Sequence, residues 1–248
     1  MRTPLVALAL LVLTPLLGLT VIVAAALGVR DRPGGIYERC GRLWASSLCR
    51  VAGVRLVLHD AERMYGEEAR VFVTNHVSWF DVFALASVLP HYTFIAKTEL
   101  RRIPLFGAAA TAFGVIWIER TNRKLAFDSY RDAAAKVGRG RSVVVCPEGT
   151  RGRTYALRPF KKGPFVFAIS AGVPIVPCIV YGTIRVQAKG SPWIRPGRVD
   201  VHFLEPVETA GFSYDERERL MRVVWDRMAT ALRDLYGVES PGQAVAVG

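Results

Sequence analysis

From Thr3 to Val29 the chain carries no charged side chain. That run exceeds the roughly 20 apolar residues a helix needs to cross a hydrocarbon layer. It has no polar face, which fits a soluble helix poorly. It also exceeds the roughly 7–15 apolar residues of a cleaved signal, although Ala24-Ala25-Ala26 resembles a cleavage site. The pattern predicts a membrane-anchoring helix. Pro15 permits a kink near its middle, so it either spans the bilayer or dips in and returns. The joint Arg30-Asp31-Arg32-Pro33-Gly34-Gly35 follows. Ile36 to Ala52 then sets Leu43, Trp44, Leu48 and Val51 on one stripe, interleaved with Arg39, Arg42 and Arg50. This is a basic amphipathic helix, suited either to an interface plane or to packing on the domain.

Beyond Val54 the periodicity alternates. β-rich runs stand at Arg55–Leu58, Val71–Thr74, Thr93–Ala96, Val115–Ile118, Ser142–Cys146, Ile175–Tyr181 and Val199–Phe203. Helical stretches separate them at Trp79–Leu89, Pro104–Ala112, Arg123–Val137 and Gly163–Ala171. Such alternation predicts an α/β domain with a largely parallel mixed sheet flanked by helices. Ser213 and Glu216 form a capping box before a last helix whose apolar positions are Leu220, Val223, Val224, Met228, Ala231 and Leu235. Gly237 stops it. The expected organisation is an anchor and joint over 1–33, a basic helix over 34–53, a domain over 54–237 and a loose tail over 238–248.

Charge narrows the partner. The formal net charge is +12, from 33 basic and 21 acidic residues. A basic surface attracts nucleic acid or anionic lipid headgroups. Zinc-finger spacing and an aromatic RNA-binding signature are both missing, so beside an apolar anchor the expected partner is membrane lipid and not nucleic acid. Arg2 alone precedes the anchor, whereas Arg30, Arg32, Arg39, Arg42, Arg50 and Arg55 follow it. If it spans, this bias puts the domain on the cytoplasmic face of the inner membrane. Cys40, Cys49, Cys146 and Cys178 lack zinc-ligand spacing and have mostly apolar neighbours, which predicts reduced thiols.

The strongest candidate chemistry follows the run Val71-Phe72-Val73. His76 and Asp81 stand five positions apart, in a chain with 4 histidines. Ser78 and Asp81 fit a helix start, so a strand-end imidazole can face a carboxylate in the next helix's first turn. A carboxylate that orients an imidazole makes it a better general base. The plainer alternative is that His76 caps the helix and Asp81 complements its dipole. No second His or Cys stands at ligand spacing, so no metal is expected. Without a Gly-x-Ser-x-Gly elbow, a base here would activate a substrate hydroxyl and not a protein serine.

A second cluster, Cys146-Pro147-Glu148-Gly149-Thr150-Arg151, follows the strand ending at Val145. Gly149 eases the turn, and the Arg151 fork suits phosphate oxygens. Glu148 either orients that arginine, pairs with it or meets a polar headgroup. Lys97 and Arg120 also close candidate strands. In a parallel sheet the carboxyl ends of strands line the ligand crevice. One base among several cations there implies an anionic substrate bearing a hydroxyl.

In four ordered blocks the chain resembles the glycerolipid (lysophospholipid) acyltransferase superfamily, and most of all bacterial 1-acylglycerol-3-phosphate acyltransferases. The blocks are Asn75-His76 with Asp81, Gly114 to Arg120, Pro147-Glu148-Gly149-Thr150-Arg151, and Val173-Pro174-Ile175-Val176-Pro177. They fall between Val71 and Gly182. Trp117, Cys146 and Gly152 depart from the usual residues without removing a charge, which touches pocket shape and not chemistry. The resemblance implies the glycerol-3-phosphate acyltransferase-like fold. It further implies that His76 deprotonates a lysolipid hydroxyl with Asp81 as its partner. Lys97, Arg120, Glu148, Gly149, Thr150 and Arg151 would bind the glycerol phosphate. Val173, Pro174 and Ile175 would shape the acyl-donor side. The donor would be acyl-CoA or acyl carrier protein, the acceptor lysophosphatidic acid, and no cofactor is needed. Rival readings are another acceptor such as a lyso-ornithine lipid, a thioester hydrolase, and a catalytically silent membrane-binding protein on the same scaffold.

Overall fold

The runs Val71–Thr74 (β2), Ser142–Val145 (β5) and Ile175–Tyr181 (β6) are apolar at nearly every position, which suits strands covered on both faces. In the computed structural model they lie at the centre of a sheet. The structure describes residues 1–119, 134 and 140–242. Val54–His59 (β1), Tyr92–Lys97 (β3), Ile116–Ile118 (β4) and Gly197–Phe203 (β7) complete a seven-stranded sheet among the described residues. The order is β1-β7-β6-β2-β5-β3-β4. Neighbours from β6 to β4 run parallel, β7 is antiparallel to β6, and β1 is parallel to β7. The sheet is thus mixed and largely parallel, as the alternation predicts.

Alternation along β2 divides the core in two. Val71 and Val73 face Gly163–Ala171 (α5) and Arg217–Tyr236 (α7), where Phe165, Leu220, Val224 and Met228 are fully buried. Phe72 faces the other side, beneath Ile36–Ala52 (α2) and Trp79–Val88 (α3), with Leu48, Phe80 and Leu85 buried. α2 therefore packs on the domain. Tyr37, Cys40, Ala45 and Leu48 make its buried face, while Leu43 stays outside. The Ser213–Glu216 capping box is present and opens a short 3-10 turn that runs into α7. The four cysteines are in no disulfide with one another.

The apolar N-terminal run forms one helix, Thr3–Ala26 (α1), continuous through Pro15. Its two ends both touch the body. The Arg2 backbone N–H donates to Ile194 O at 2.8 Å, and Thr3 Oγ1 to Pro192 O at 3.1 Å. Near its other end, Val21 and Ala24 are buried with Tyr37 and Cys40. In between, Trp44 Nε1 donates to Thr14 Oγ1 at 3.0 Å. Gly18 lets the helix approach Ala109 of Phe106–Phe113 (α4), since a Cβ there would sit 3.2 Å from the alanine methyl. So α1 lies along the domain. Leu5, Leu8, Leu11, Leu16 and Leu19 remain on its outer side, each about half exposed or more.

The helix expected over Arg123–Val137 lies, Ala134 apart, outside the described residues. The tail is less loose than expected where it begins. The Leu157 backbone N–H donates to Ser240 Oγ at 2.9 Å, tying the chain after α7 to the loop after β5.

Candidate active site

β2 ends at Thr74, and Asn75 carries the chain off the sheet. Its side chain replaces a ladder pair with β6: Oδ1 accepts from Val180 N–H at 2.8 Å and Nδ2 donates to Val180 O at 3.0 Å. His76 follows at the carboxyl end of the parallel strands. Ser78 then caps α3, its Oγ accepting from Phe80 N–H at 3.2 Å.

Asp81 occupies the third position of α3 and is fully buried. Its Oδ2 accepts from His76 Nδ1 at 3.0 Å, Val77 N–H at 2.6 Å and Ser78 N–H at 2.7 Å. The positive end of α3 further favours the carboxylate. An ionised carboxylate only accepts, so Nδ1 carries the imidazole proton and Nε2 is the basic atom. The His76 side chain is 15% exposed, which gives a hydroxyl a route to Nε2. The expected pairing is therefore present, in the geometry of an oriented base.

The loop after β5 grips the His76 main chain from both sides. His76 N–H donates to Glu148 Oε1 at 2.9 Å, and Gly152 N–H donates to His76 O at 2.7 Å. Glu148 Oε2 accepts from Arg158 N–H at 3.3 Å. Glu148 is thus neither paired with Arg151 nor turned to solvent; it is 4% exposed and holds the base in place. Burial pushes its carboxyl up to about 7, against the lowering pull of those two backbone N–H groups. Between pH ~4.5 and ~7 the folded chain then binds a proton the unfolded chain releases, so stability falls as pH rises through that window. We expect Glu148→Gln to flatten that loss, which amounts to ~3 kcal/mol at most. Denaturant midpoints at pH 5 and pH 8 test this; an equal drop in both proteins would refute it.

Cations gather on the rim. The Arg151 guanidinium lies 4.9 Å over the Trp79 ring, half-buried and open to an anion. Arg158 Nη1 donates to Thr150 O at 3.3 Å, and Lys189 Nζ to Arg151 O at 2.7 Å. Arg158 and Lys189 escaped the sequence reading because neither closes a strand nor belongs to a block. Gly149 turns with φ +77°. Lys97 ends β3 at the same end of the sheet, two strands and ~10 Å from β2, with its ammonium 3.6 Å from Glu99. Arg120 lies outside the described residues.

The structure does not bring Val173, Pro174 and Ile175 up to His76. They sit where β6 begins, with Ile175 opposite Val71 and Pro174 O accepting from Val71 N–H at 2.9 Å. His76 lies five residues beyond Val71, just past the end of β2, or ~16 Å at a strand's rise. Because β6 runs parallel to β2, its start lies at the far end of the sheet. Val173 and Ile175 are buried in the core against α5 and α7, away from the site they were expected to shape.

Among the described residues one group stands within metal-ligand reach of itself: His59, Asp200 and His202, within 4.8 Å. Arg198 already forks onto Asp200 at 2.6–3.1 Å. The two imidazoles stack at 4.0 Å and 5°, so their in-plane lone pairs run parallel and do not converge on an ion. The group lies on β1 and β7, apart from His76.

Two further residues complete the site from outside the sequence blocks. Thr183 Oγ1 donates to Asp81 Oδ1 at 2.6 Å, and the Tyr155 hydroxyl accepts from Gly182 N–H and Ile184 N–H at 2.8 and 2.9 Å.

Comparison with known proteins bears on the family and the fold. The family model described as Acyltransferase matches residues 55–181. A chloroplastic 1-acyl-sn-glycerol-3-phosphate acyltransferase of Brassica napus is 38% identical over 138 residues, 55% of this chain and 40% of that protein. The chain thus spans less than half that relative's length. A 1-acyl-sn-glycerol-3-phosphate acyltransferase of Limnanthes douglasii is 30% identical over 200 residues, 80% of this chain and 69% of that protein. In fold, the chain matches the crystal structure of the 1-acyl-sn-glycerophosphate acyltransferase PlsC from Thermotoga maritima, with a TM-score of 0.75 and 24% identity, covering 97% of this chain and 100% of that one. With the His76–Asp81 pair at the carboxyl end of a largely parallel sheet, and a match over half its length, the chain belongs to the acyltransferase family.

Proposed function

We propose that this chain transfers an acyl group from a thioester, acyl-CoA or acyl carrier protein, to the sn-2 hydroxyl of 1-acyl-sn-glycerol 3-phosphate, giving phosphatidic acid. The observation that carries the reading is His76: Nδ1 bound to buried Asp81, Nε2 at an opening rimmed by cations. The acceptor hydroxyl gives its proton to Nε2 while its oxygen attacks the thioester carbonyl. The C–S bond then breaks, and the leaving thiolate takes the proton back from the imidazolium. Asp81 stabilises the imidazolium in between. No covalent acyl-enzyme is required.

Arg151, with Arg158 and Lys189 beside it, faces the acceptor's phosphate; Thr150, Gly149 and Glu148 shape the loop that holds them. Lys97 adds positive field from the end of β3, and Arg120 is assigned to the phosphate on its sequence block. The names of the matched relatives and the strength of an arginine–phosphate pair both favour a phosphomonoester acceptor. The bare outer side of α1 supports a membrane address. Because both ends of α1 are fastened to the domain, it fits one leaflet better than a full crossing. The proposed thioester donors, acyl-CoA and acyl carrier protein, favour the cytoplasmic face of the inner membrane.

The test is an assay of the membrane-bound chain with lysophosphatidic acid and each thioester donor. Phosphatidic acid should form, and lyso-ornithine lipid should compete poorly. Release of free fatty acid without lysolipid would mark a hydrolase and overturn the reading. Arg151→Ala should raise the acceptor KM ~10–100-fold, the size of a charge-assisted hydrogen bond, and leave the donor KM nearly unchanged. Equal effects on both substrates would remove Arg151 from the phosphate site.

A further inference from the structure

Asp81 has two carboxylate oxygens, and only one is accounted for by the His76 turn. Oδ2 serves His76, Val77 and Ser78. Oδ1 is also without solvent and accepts a hydrogen bond from the Thr183 hydroxyl at 2.6 Å. A buried carboxylate oxygen without a donor would be costly.

Thr183 is delivered by an unusual turn. β6 ends at Tyr181, and Gly182 adopts φ +100° while lying against the backbone of Arg198; a Cβ there would come 2.2 Å from Arg198 O. Only glycine tolerates that approach. The helix Thr183–Val186 (α6) starts immediately after. Tyr155, on the loop after the third block, accepts from the backbone N–H of Gly182 and of Ile184, on either side of Thr183. At the far end of α6 the Ser78 hydroxyl donates to Gln187 O at 2.7 Å. The short helix is therefore fastened to the start of α3 at two points, and Tyr155 fixes its first turn. Its side chain at Thr183 is fully buried and meets the carboxylate.

We propose that Thr183 is a positioning residue for the His76–Asp81 pair, held in place by Tyr155 and Gly182. The proposal rests on the catalytic reading of His76. The hydroxyl locks the carboxylate plane so that Oδ2 faces Nδ1, and it disperses charge on Oδ1. Without that donor the charge on Asp81 is less dispersed and holds an imidazolium more tightly, so the neutral imidazole needed for the reaction would require a higher pH. Facing the pair from the surrounding loops are Glu148 and Tyr155. Burial raises both, and the charge of Asp81 adds to the rise. Glu148 has no bond to Thr183, whereas the Thr183 side chain lowers Tyr155, so losing its hydroxyl leaves that phenol higher still and uncharged.

The experiment compares the full chain with Thr183→Val and Thr183→Ser in detergent. The His76 imidazole resonances are followed across pH, and kcat and KM are measured across the same range. In Thr183→Val the His76 titration midpoint and the acid limb of kcat should move up together by ~1 pH unit, the tenfold change expected from losing one charge-assisted hydrogen bond. Acceptor KM should stay within about threefold. Thr183→Ser keeps the hydroxyl and should titrate as the unaltered protein does. A valine variant that titrates normally, or a serine variant that shifts as far as valine, would overturn the proposal. Thr183→Ala gives the same reading if valine does not fold. The resonances need no substrate, so an unaltered protein inactive on lysolipid would defeat the proposed reaction and leave the Thr183 result standing.

Discussion

His76→Ala should lower acyl transfer to lysophosphatidic acid ~10²–10⁴-fold, the usual worth of a general base, without unfolding the chain. The imidazole is held by one side-chain hydrogen bond and is partly exposed, so its loss leaves no large cavity. The main chain at His76 stays tied through Glu148 and Gly152. Asp81→Asn should cost a similar factor, because a neutral amide cannot stabilise the imidazolium. Asp81→Ala is a poorer probe. It strands the Val77 and Ser78 N–H groups and the Thr183 hydroxyl, each at ~1–3 kcal/mol, so instability would mask chemistry. Activity and the far-ultraviolet dichroism spectrum of His76→Ala and Asp81→Asn together decide the matter. More than a tenth of normal turnover in either folded variant would rule out the proposed base.

The second large effect belongs to α1. Changing Leu8, Leu11, Leu16 and Leu19 together to glutamine should abolish co-flotation with phospholipid vesicles. These side chains are 58%, 72%, 60% and 51% exposed, so they contribute little to the fold. Moving the exposed part of each into hydrocarbon stabilises the bound state by ~1 kcal/mol. Four such losses lower partitioning about a thousandfold, and more once the amides must be desolvated. Val6, Gly18, Val21 and Ala24 face the domain and are untouched, so the variant should keep its thermal midpoint. A variant that floats with vesicles as the unaltered protein does would show that α1 is not the anchor.

How far the sequence reaches can be judged residue by residue. The His76–Asp81 pair was legible because both members lie within one strand–turn–helix, where spacing and a capping pattern set the geometry. The alternation of runs predicted the parallel sheet because apolar strands of this length need cover on both faces. The distance of Val173, Pro174 and Ile175 from His76 was not legible, for the opposite reason. Nothing in a local pattern says at which end of the sheet a strand begins, and the direction of β6 beside β2 decides it. Glu148 was read as a partner for Arg151 or for the headgroup, yet its carboxylate turned inward to the backbone of His76, a residue from another strand. The antiparallel seat of β7, the attachment of both ends of α1, and Thr183 were likewise invisible.

The sequence by itself determined an apolar helix, an α/β alternation, a basic surface and an imidazole–carboxylate pair five residues apart. Tertiary structure alone decided what surrounds that pair: Glu148 and Gly152 on the His76 backbone, Thr183 on the second oxygen of Asp81, and α1 laid along the domain. Periodicity and capping act over a few residues and are written in order along the chain. Hydrogen bonds to a buried carboxylate come from whichever loops the sheet order brings together, and here that order joins residues more than a hundred positions apart.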